Sequence, residues 1–221
     1  MSERILQSIS NSKSSRLIAI GDIHGNILNL NSLLEQIQPT ASDTLIFLGD
    51  YIDRGDNSKE VVERLLELSK VSNCVFLKGN HENMLLNIKN TKSKEAFVHW
   101  FLSGGEKTLK SYGKFEEIFN LHGEFFKNLQ NYYLTEDYLF VHAGICIGKS
   151  LEQQTLDDLL WVRDSFIEYP HGLKQKIIFG HTPFSNPYIS DDKIGIDTGC
   201  GYENGYLTSI LCGDEDFITS E

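Results

Sequence analysis

Three short polar segments, each directly after an apolar run, carry residue types suited to metal chemistry. They are Gly21-Asp22-Ile23-His24-Gly25, Gly49-Asp50-Tyr51-Ile52-Asp53-Arg54-Gly55 and Gly79-Asn80-His81-Glu82. Helical periodicity follows each segment, and open α/β sheets place their ligands at the carboxyl ends of strands. Carboxylate, imidazole and carboxamide donors suit a first-row divalent metal, and a neighbouring arginine suits an anion. The pattern therefore indicates metal-assisted phosphoester chemistry.

The donors in these segments are spaced for two metal sites. Side chains alternate along an extended chain, so we expect Asp22 and His24 to share a face and one metal. The two oxygens of Asp50 suit a bridge between two ions, and Asn80 offers a neutral oxygen. His142 and His181 also end apolar runs. Four of the seven histidines (His24, His81, His142 and His181) lie beside a glycine, or are separated from one by a single residue, directly after such a run, which favours a site over ordinary packing.

The same segments, with His142-Ala143-Gly144 and Gly180-His181-Thr182, resemble the signature of the PPP-type metallophosphatases. The resemblance is strongest to the compact bacterial and bacteriophage serine/threonine protein phosphatases, and it runs from about residue 17 to 211. It implies one metal held by Asp22, His24 and Asp50. A second metal would be held by Asp50, Asn80, His142 and His181. It also implies phosphate clamps at Arg54 and Arg163, and a catalytic acid at His81 partnered by Asp53.

This assignment agrees with the chemistry of phosphate-monoester hydrolysis. Two metals can deprotonate a bridging water and neutralise phosphoryl oxygens, and arginines bind those oxygens bidentately. A His81 kept protonated by Asp53 would protonate the leaving alkoxide. We expect Mn²⁺, with Fe, Zn or Co compatible with the same ligands. The expected substrates are phosphorylated proteins or peptides, with dual specificity open. Taken alone, Asp53 and Arg54 would equally suit a salt bridge within a loop.

Other functions fit the sequence less well. Relatives that cut diesters usually end in Gly-His-x-His, whereas Gly180-His181-Thr182-Pro183 lacks the second histidine. Symmetrical diadenosine tetraphosphate hydrolases share an Asp-Thr-Gly-Cys stretch but typically replace the aspartate that is Asp53 here. A scaffold protein without metals would not need this complete ligand set.

Composition limits the class of protein. A chain of 221 residues with 40% hydrophobic content and no linker or repeat predicts one domain over 16–221, after a polar segment at 1–15. No apolar run is long enough for a membrane span. A net charge of −11 disfavours nucleic-acid binding, and part of it would be offset by two cations. The four cysteines show no paired spacing, which favours reduced thiols in a cytoplasmic protein.

The order of elements predicts an α/β fold. The first half reads βαβαβ, with Asn26 and Asn57 as helix caps, and a mostly helical stretch follows from His81 to about Gln130. Strands over 138–141, 177–179, 193–196 and 206–211 predict a second sheet, interrupted by a helix over 155–166. The resemblance implies a calcineurin-like sandwich of two mixed sheets flanked by helices.

Several remaining residues have open or ordinary roles. His99, His122 and His171 are expected at the surface or in packing. Asp197 suits either orientation of a metal-binding histidine or a turn. The segments Trp100-Phe101-Leu102-Ser103-Gly104-Gly105 and Gly201-Tyr202-Glu203-Asn204-Gly205 are candidate rims of a cleft, and the acidic run 213–216 is expected in solvent.

Overall fold

The computed structural model describes residues 15–220, so most of the polar segment at 1–15 lies outside the described part. Within residues 15–220, ten strands and eight α-helices form two packed sheets with helices on both outer faces. The strands are β1 Leu17–Ile20, β2 Thr44–Phe47, β3 Asn73–Phe76, β4 Tyr132–Leu134, β5 Tyr138–Val141, β6 Lys176–Phe179, β7 Tyr188–Ile189, β8 Lys193–Gly195, β9 Thr208–Leu211 and β10 Asp216–Thr219. The helices are α1 Ile27–Ile37, α2 Ser58–Leu68, α3 Asn80–Thr91, α4 Lys94–Trp100, α5 Glu106–Tyr112, α6 Phe115–Lys127, α7 Leu156–Trp161 and α8 Asp164–Ile167.

The first sheet has the order β10-β9-β1-β2-β3 and the second the order β4-β5-β6-β8-β7. Strands β1, β2 and β3 are parallel, as are β5, β6 and β8. The remaining strands join antiparallel at the edges. This is the predicted pair of mixed sheets.

Alternation along β1 explains the layered core. Ile18 and Ile20 face α1, α2 and α6, whereas Ala19 faces the second sheet and packs in one cluster with Phe140 and Ile178. The outer face of the second sheet is covered by α7 and α8. Each sheet thus buries both faces, which accounts for its short, almost continuously apolar strands.

Two predictions about elements are wrong. Strand β9 pairs antiparallel with β1 and so joins the first sheet rather than the second. The acidic run, most of which is exposed as expected, forms a turn that leads into β10. The helix predicted over 155–166 breaks at Val162 and Arg163, whose extended and irregular backbone separates α7 from α8. Strands β4, β7 and β10 were not predicted.

The cap predictions had mixed outcomes. The Asn26 side chain accepts the Asn29 N–H at 3.2 Å and caps α1 as expected. Asn57 precedes α2 but makes no capping hydrogen bond. The adjacent Ser58 hydroxyl instead accepts the Asp53 N–H at 3.1 Å, so the start of α2 supports the neighbouring loop.

No helix among the described residues combines the length and apolar character needed to cross a bilayer.

Candidate metal centre

The candidate site lies where parallel strands of both sheets end. Loops after β1 and β2 supply His24 and Asp50, and α3 begins at Asn80 directly after β3. His142 and His181 follow β5 and β6 of the second sheet. These five side chains are all buried although all are polar, so the fold has excluded solvent from a set of ligating groups.

Two groups of ligand atoms meet at Asp50. His24, Asp50 and His81 have ligand atoms within 4.8 Å of one another, and so do Asp50, His142 and His181. The two carboxylate oxygens divide between them: Oδ2 lies 3.5 Å from His24 Nε2 and 3.9 Å from His81 Nε2, and Oδ1 lies 3.6 Å from His142 Nε2. This is the arrangement that a bridging carboxylate requires.

Asn80 shows most directly that the second group suits a cation. Its Oδ1 lies 2.9 Å from both His142 Nε2 and His181 Nδ1. His142 Nδ1 lies 2.9 Å from the Leu48 carbonyl and therefore carries the proton, which leaves a lone pair on Nε2. Burial lowers the pKa of His142, so the ring stays neutral. The lone pairs of His142 Nε2 and Asn80 Oδ1 therefore face each other, and a cation bound by both atoms would satisfy them.

Other buried atoms support the same conclusion. His181 Nε2 is buried without a hydrogen-bond partner, and burial, helped by His142, lowers the pKa of His181 to about 2. Asp22, Asp50 and Asp197 are buried carboxylates in one region. Burial, and then the charges of Asp197 and Asp50, raise the pKa of Asp22 well above its usual value. Neutral imidazoles among crowded carboxylates fit divalent cations.

The geometric reason given for pairing Asp22 with His24 is wrong. His24 has φ +46°, so the chain has left the extended conformation in which side chains alternate. The Asp22 carboxylate accepts the His181 N–H, at 3.1 Å to Oδ2, and His81 stands with His24 and Asp50 in the compact group. The metal-ligand role of Asp22 stays a prediction.

His81 and Asp53 form a dyad inside the first group. His81 Nδ1 donates to Asp53 Oδ2 at 2.7 Å. Trp100 Nε1 donates to the same oxygen at 2.9 Å, and Thr108 Oγ1 donates to Oδ1 at 2.6 Å. Burial opposes protonation of His81, but the charge of Asp50 and the hydrogen bond to Asp53 outweigh it and raise the pKa of His81. The dyad therefore favours a protonated imidazole, as an acid requires.

Arg54 lies beside the same group, and Arg163 lies further out. Arg54 Nη1 donates to His24 Nε2 at 2.6 Å, and Nη2 lies 3.2 Å from His81 Nε2. Its guanidinium carbon stacks 4.5 Å from the centre of the Tyr202 ring. Arg163 is exposed at the start of α8, yet its charge helps to lower the pKa values of His142 and His181. The two arginines thus flank opposite groups.

The backbone at the site is unusual. Nine described residues other than glycine have positive φ, and five of them belong here: His24, Asp50, Asp53, Arg54 and His181. Such conformations are costly for residues with a Cβ and persist only when the surroundings hold them. Glycines make the space: a Cβ on Gly79 would overlap the Asp50 carboxylate, and one on Gly180 would overlap Asp22.

Some of the hydrogen bonds that hold this backbone come from residues for which the sequence predicted no role. The buried carboxylate of Glu82 accepts the N–H groups of Asp50, Tyr51 and Gly79 at 2.9, 2.9 and 3.0 Å. In the sequence, only its position directly after Asn80-His81 indicates that Glu82 belongs to the site. Thr108 lies about fifty residues from Asp53 in sequence and had no signal.

The two predicted rims have different outcomes. Trp100 is buried and donates a hydrogen bond to Asp53, and the Gly104 carbonyl accepts the Arg54 N–H at 3.1 Å. The first segment therefore supports the site from within through Trp100 and Gly104, while Phe101 and Leu102 between them are exposed. Tyr202, half exposed, does lie at the edge of the site.

The remaining residues make local contacts. Asp197 Oδ1 accepts the Gly199 N–H at 2.9 Å, which is a turn contact, and burial raises the pKa of Asp197 to about 6. A role of Asp197 in orienting a metal-binding histidine stays a prediction. Cys200 is a buried free thiol, and the other three cysteines are also free. His99 is exposed, whereas His122 and His171 are buried and bonded to Tyr112 and Asp192.

Comparison with known proteins decides the family. The model of the calcineurin-like phosphoesterases matches residues 15–213. The chain belongs to the calcineurin-like phosphoesterases. Serine/threonine-protein phosphatase 2 of Escherichia coli is 32% identical over 81% of this chain and 85% of that protein. The asymmetrical bis(5'-nucleosyl)-tetraphosphatase PrpE of Oceanobacillus iheyensis is 26% identical over 90% of both chains.

Solved structures of this calcineurin-like fold superpose along the whole chain. The crystal structure of a candidate diadenosine tetraphosphatase gives a TM-score of 0.73 at 21% identity and covers 94% of both chains. A cold-active protein tyrosine phosphatase gives 0.68 at 16% identity and covers 93% of this chain and 78% of that one. The chain is thus a phosphoesterase hydrolase whose relatives include phosphatases and tetraphosphatases.

Proposed function

We propose that this phosphoesterase hydrolyses phosphate monoesters of serine and threonine in proteins, and that it tolerates phosphotyrosine. The observation that carries the proposal is the His81–Asp53 dyad, in which Trp100 and Thr108 donate hydrogen bonds to the Asp53 carboxylate. An alkoxide is a strongly basic leaving group and needs a proton in the transition state. A dinucleoside tetraphosphate instead releases a nucleotide through a phosphate oxygen, which is a weakly basic leaving group and needs little such help. An acid this well supported is of most use against an alkyl phosphate.

The proposed metal ligands are Asp22, His24, Asp50, Asn80, His142 and His181, with Mn²⁺ as the expected metal. Bound divalent ions would activate water and neutralise charge on the phosphoryl group. Arg54 and Arg163 bind phosphoryl oxygens, and Glu82 keeps the Asp50 loop in place through its three backbone contacts. The four free cysteines are consistent with the reducing, cytoplasmic setting that we propose.

A second candidate is hydrolysis of dinucleoside tetraphosphates. Besides the resemblance to PrpE, one feature favours it: a cleft of about 240 Å³ at Gly55, next to Arg54 in sequence, whose lining includes Tyr202, Asn26, Asn57 and the carboxylate of Asp56. An aromatic face with amide groups around it suits a nucleobase. The sequence suggested symmetrical cleavage as the alternative, but the relatives that match are named asymmetrical. The candidate is therefore cleavage to ATP and AMP.

One experiment separates the two candidates. We would compare kcat/KM on phosphoserine and phosphothreonine peptides with kcat/KM on diadenosine tetraphosphate, using one Mn²⁺-loaded preparation and identifying the nucleotides released. We expect the peptides to be preferred. An advantage of more than about 100-fold for the dinucleotide, roughly 2.7 kcal/mol in the transition state, would overturn the proposal. Absence of bound metal by elemental analysis, together with no turnover of either substrate, would instead indicate a scaffold.

A further inference from the structure

A groove of about 550 Å³ lies on the helical face of the protein, away from the metal centre. Its apolar lining comes from α3, α4 and α6, through Ile88, Phe97, Val98 and Phe115. Val98 is 54% exposed, and the rings of Phe97 and Phe115 pack 6.0 Å apart. An exposed apolar groove of this kind, bordered by polar side chains, is typical of a surface that binds another molecule.

The charge around this groove is opposite to that of the protein. Three of the nine lining residues are lysines (Lys89, Lys92 and Lys94), and Glu116 is the one acidic residue. Lys114, also exposed, directly precedes Phe115. The chain as a whole carries a net charge of −11. The groove is therefore a basic patch on an acidic protein.

These lysines also differ from most others in forming no ion pair with a carboxylate of the described residues. Eight of the fourteen lysines in the described part of the chain form ion pairs with carboxylates. The described lysines outside such pairs are Lys70, Lys78, Lys89, Lys92, Lys94 and Lys114, and four of these six belong to this one patch. Lys89 instead lies 4.7 Å over the Phe119 ring. The carboxylates at this groove are Glu116 in the lining and the exposed Glu95, which accepts a hydrogen bond from Ser93 at 2.9 Å, and neither forms an ion pair with these lysines.

The groove is connected to the metal centre through α4. Phe97 stacks on Phe101 at 6.0 Å, and Leu102, which follows, is 79% exposed. Gly104, two residues on, accepts the Arg54 N–H. At a helical rise of about 1.5 Å per residue, Phe97 lies roughly 4.5 Å from Trp100 at the end of α4, and Gly104 follows four residues later, where the backbone leaves helical geometry. A partner in the groove would thus have a few residues of chain with which to reach the site.

We propose that the groove docks an acidic segment of the phosphoprotein substrate, with apolar side chains on the floor and carboxylates facing Lys92, Lys94 and Lys114. This inference rests on the proposed phosphoprotein activity. Nucleic acid is also anionic, but its backbone would leave the apolar floor unused, and the net charge of the protein would repel it. A second copy of this chain would bring the same net charge of −11 towards the first.

The binding test uses a fluorescent twelve-residue peptide of glutamates with phenylalanine and leucine at helical spacing, and its counterpart with lysines for glutamates. Anisotropy is measured on the full chain at about 50 and about 300 mM NaCl. We expect the acidic peptide alone to bind, less tightly at high salt. The double variant Lys92→Glu/Lys94→Glu should weaken binding about tenfold. Its matched control, Lys70→Glu/Lys174→Glu, changes net charge equally outside the groove and should bind normally.

The apolar lining of the groove and the identity of the bound molecule are tested separately. Val98→Ser removes exposed apolar surface and should also weaken binding of the acidic peptide. Equal binding of both peptides, or equal weakening in the matched control, would overturn the docking proposal. So would a dimer, seen by sedimentation, that Lys92→Glu/Lys94→Glu converts to a monomer, because the groove would then be an interface between copies. Tight binding of a single-stranded oligonucleotide that these variants abolish would contradict it as well.

A kinetic experiment distinguishes failure of the docking proposal from failure of the proposed phosphatase function. The acidic peptide is joined to a phosphoserine segment by about four flexible residues, which span roughly 13 Å. We expect a lower KM than for the phosphoserine segment alone, and loss of that advantage in Lys92→Glu/Lys94→Glu with kcat and aryl phosphate turnover unchanged. If the phosphoserine segment alone is not hydrolysed, the proposed function fails. If it is hydrolysed and the extension lowers KM in neither enzyme, only the docking proposal fails.

Discussion

The two sides of Asp50 have the same ligand types but different surroundings. On one side, His24 and His81 lie with Arg54, Asp53 and the indole of Trp100, all from loops of the first sheet and the helices that follow. On the other side, His142 and His181 come from the second sheet and face the amide oxygen of Asn80. The first side has charged partners, and the second has neutral ones.

This difference separates proton transfer from metal binding. A carboxylate partner raises the pKa of His81, so that imidazole can hold a proton. Burial without such a partner lowers the pKa values of His142 and His181, so those rings stay neutral and keep lone pairs for a cation. Histidines a few ångströms apart can therefore do opposite work, because all of them lie near Asp50 but only His81 also has a carboxylate, that of Asp53, hydrogen-bonded to its ring.

The largest effect should come from the residue that the two sides share. Asp50→Asn leaves one oxygen donor where the carboxylate offers two, so we expect loss of both metals and at least a 10³-fold lower kcat, on the order of several kcal/mol. Elemental analysis and activity are measured together. Two metals per chain in this variant would refute the bridging role.

Substitution of His81 should break the first side and leave the second intact. We expect His81→Asn to retain metal but to lose roughly 10²–10⁴-fold in kcat on alkyl phosphates, with a smaller loss on aryl phosphates, whose leaving groups need less protonation. His142→Asn is the contrasting variant and should lose metal. An equal loss of activity by His81→Asn on both substrate types would argue against the acid.

The arginines test the anion-binding part of the comparison. Arg54→Ala should weaken binding of substrate and inorganic phosphate roughly 10–100-fold with metal content unchanged, as expected for charged hydrogen bonds. Arg163→Ala should have a smaller effect, since that side chain is exposed. Lysine should rescue poorly at either position, because it lacks the planar fork. Full activity of both lysine variants would show that bidentate binding does not matter.

The pH profile tests the dyad itself. Asp53 helps to raise the pKa of His81, so the acidic form persists to higher pH, and kcat/KM on alkyl phosphates should fall as pH rises through that value. In Asp53→Asn the falling limb should move to lower pH, by about one unit if one hydrogen-bonded charge is lost. If the falling limb of the pH profile stays in place in Asp53→Asn, and the metal content is unchanged, the titrating group is not His81.

The smallest effect concerns the stacking of Tyr202 on Arg54. Tyr202→Ala should raise KM for phosphopeptides by roughly two- to fivefold, the range for a cation–π contact at a partly exposed position. Tyr202→Phe keeps the ring and should behave like the natural protein. A larger loss in the alanine variant on diadenosine tetraphosphate than on peptides would favour the nucleobase cleft.

Local patterns in the sequence determined much of the fold and most members of the site. Apolar runs ending in polar segments identified β1, β2, β3, β5 and β6, and with them the positions of His24, Asp50, Asn80, His142 and His181. These predictions succeeded because an apolar run and the polar segment that ends it are short-range features. The same pattern gave the pairing of His81 with Asp53 only through resemblance to a known family, since nothing local joins two residues 28 positions apart.

Only the tertiary structure decided which distant residues support the site. The attachment of β9 to the first sheet depends on its pairing with β1, some 190 residues away, and no local signal encodes it. The same holds for Trp100 and Thr108 on Asp53, and for Tyr202 on Arg54. The positive φ values of His24, Asp50 and His181 are unfavourable for the residues themselves. They are held by hydrogen bonds with residues distant in sequence, as Glu82 holds the Asp50 N–H and Asp22 holds the His181 N–H, and those contacts exist only in the whole fold.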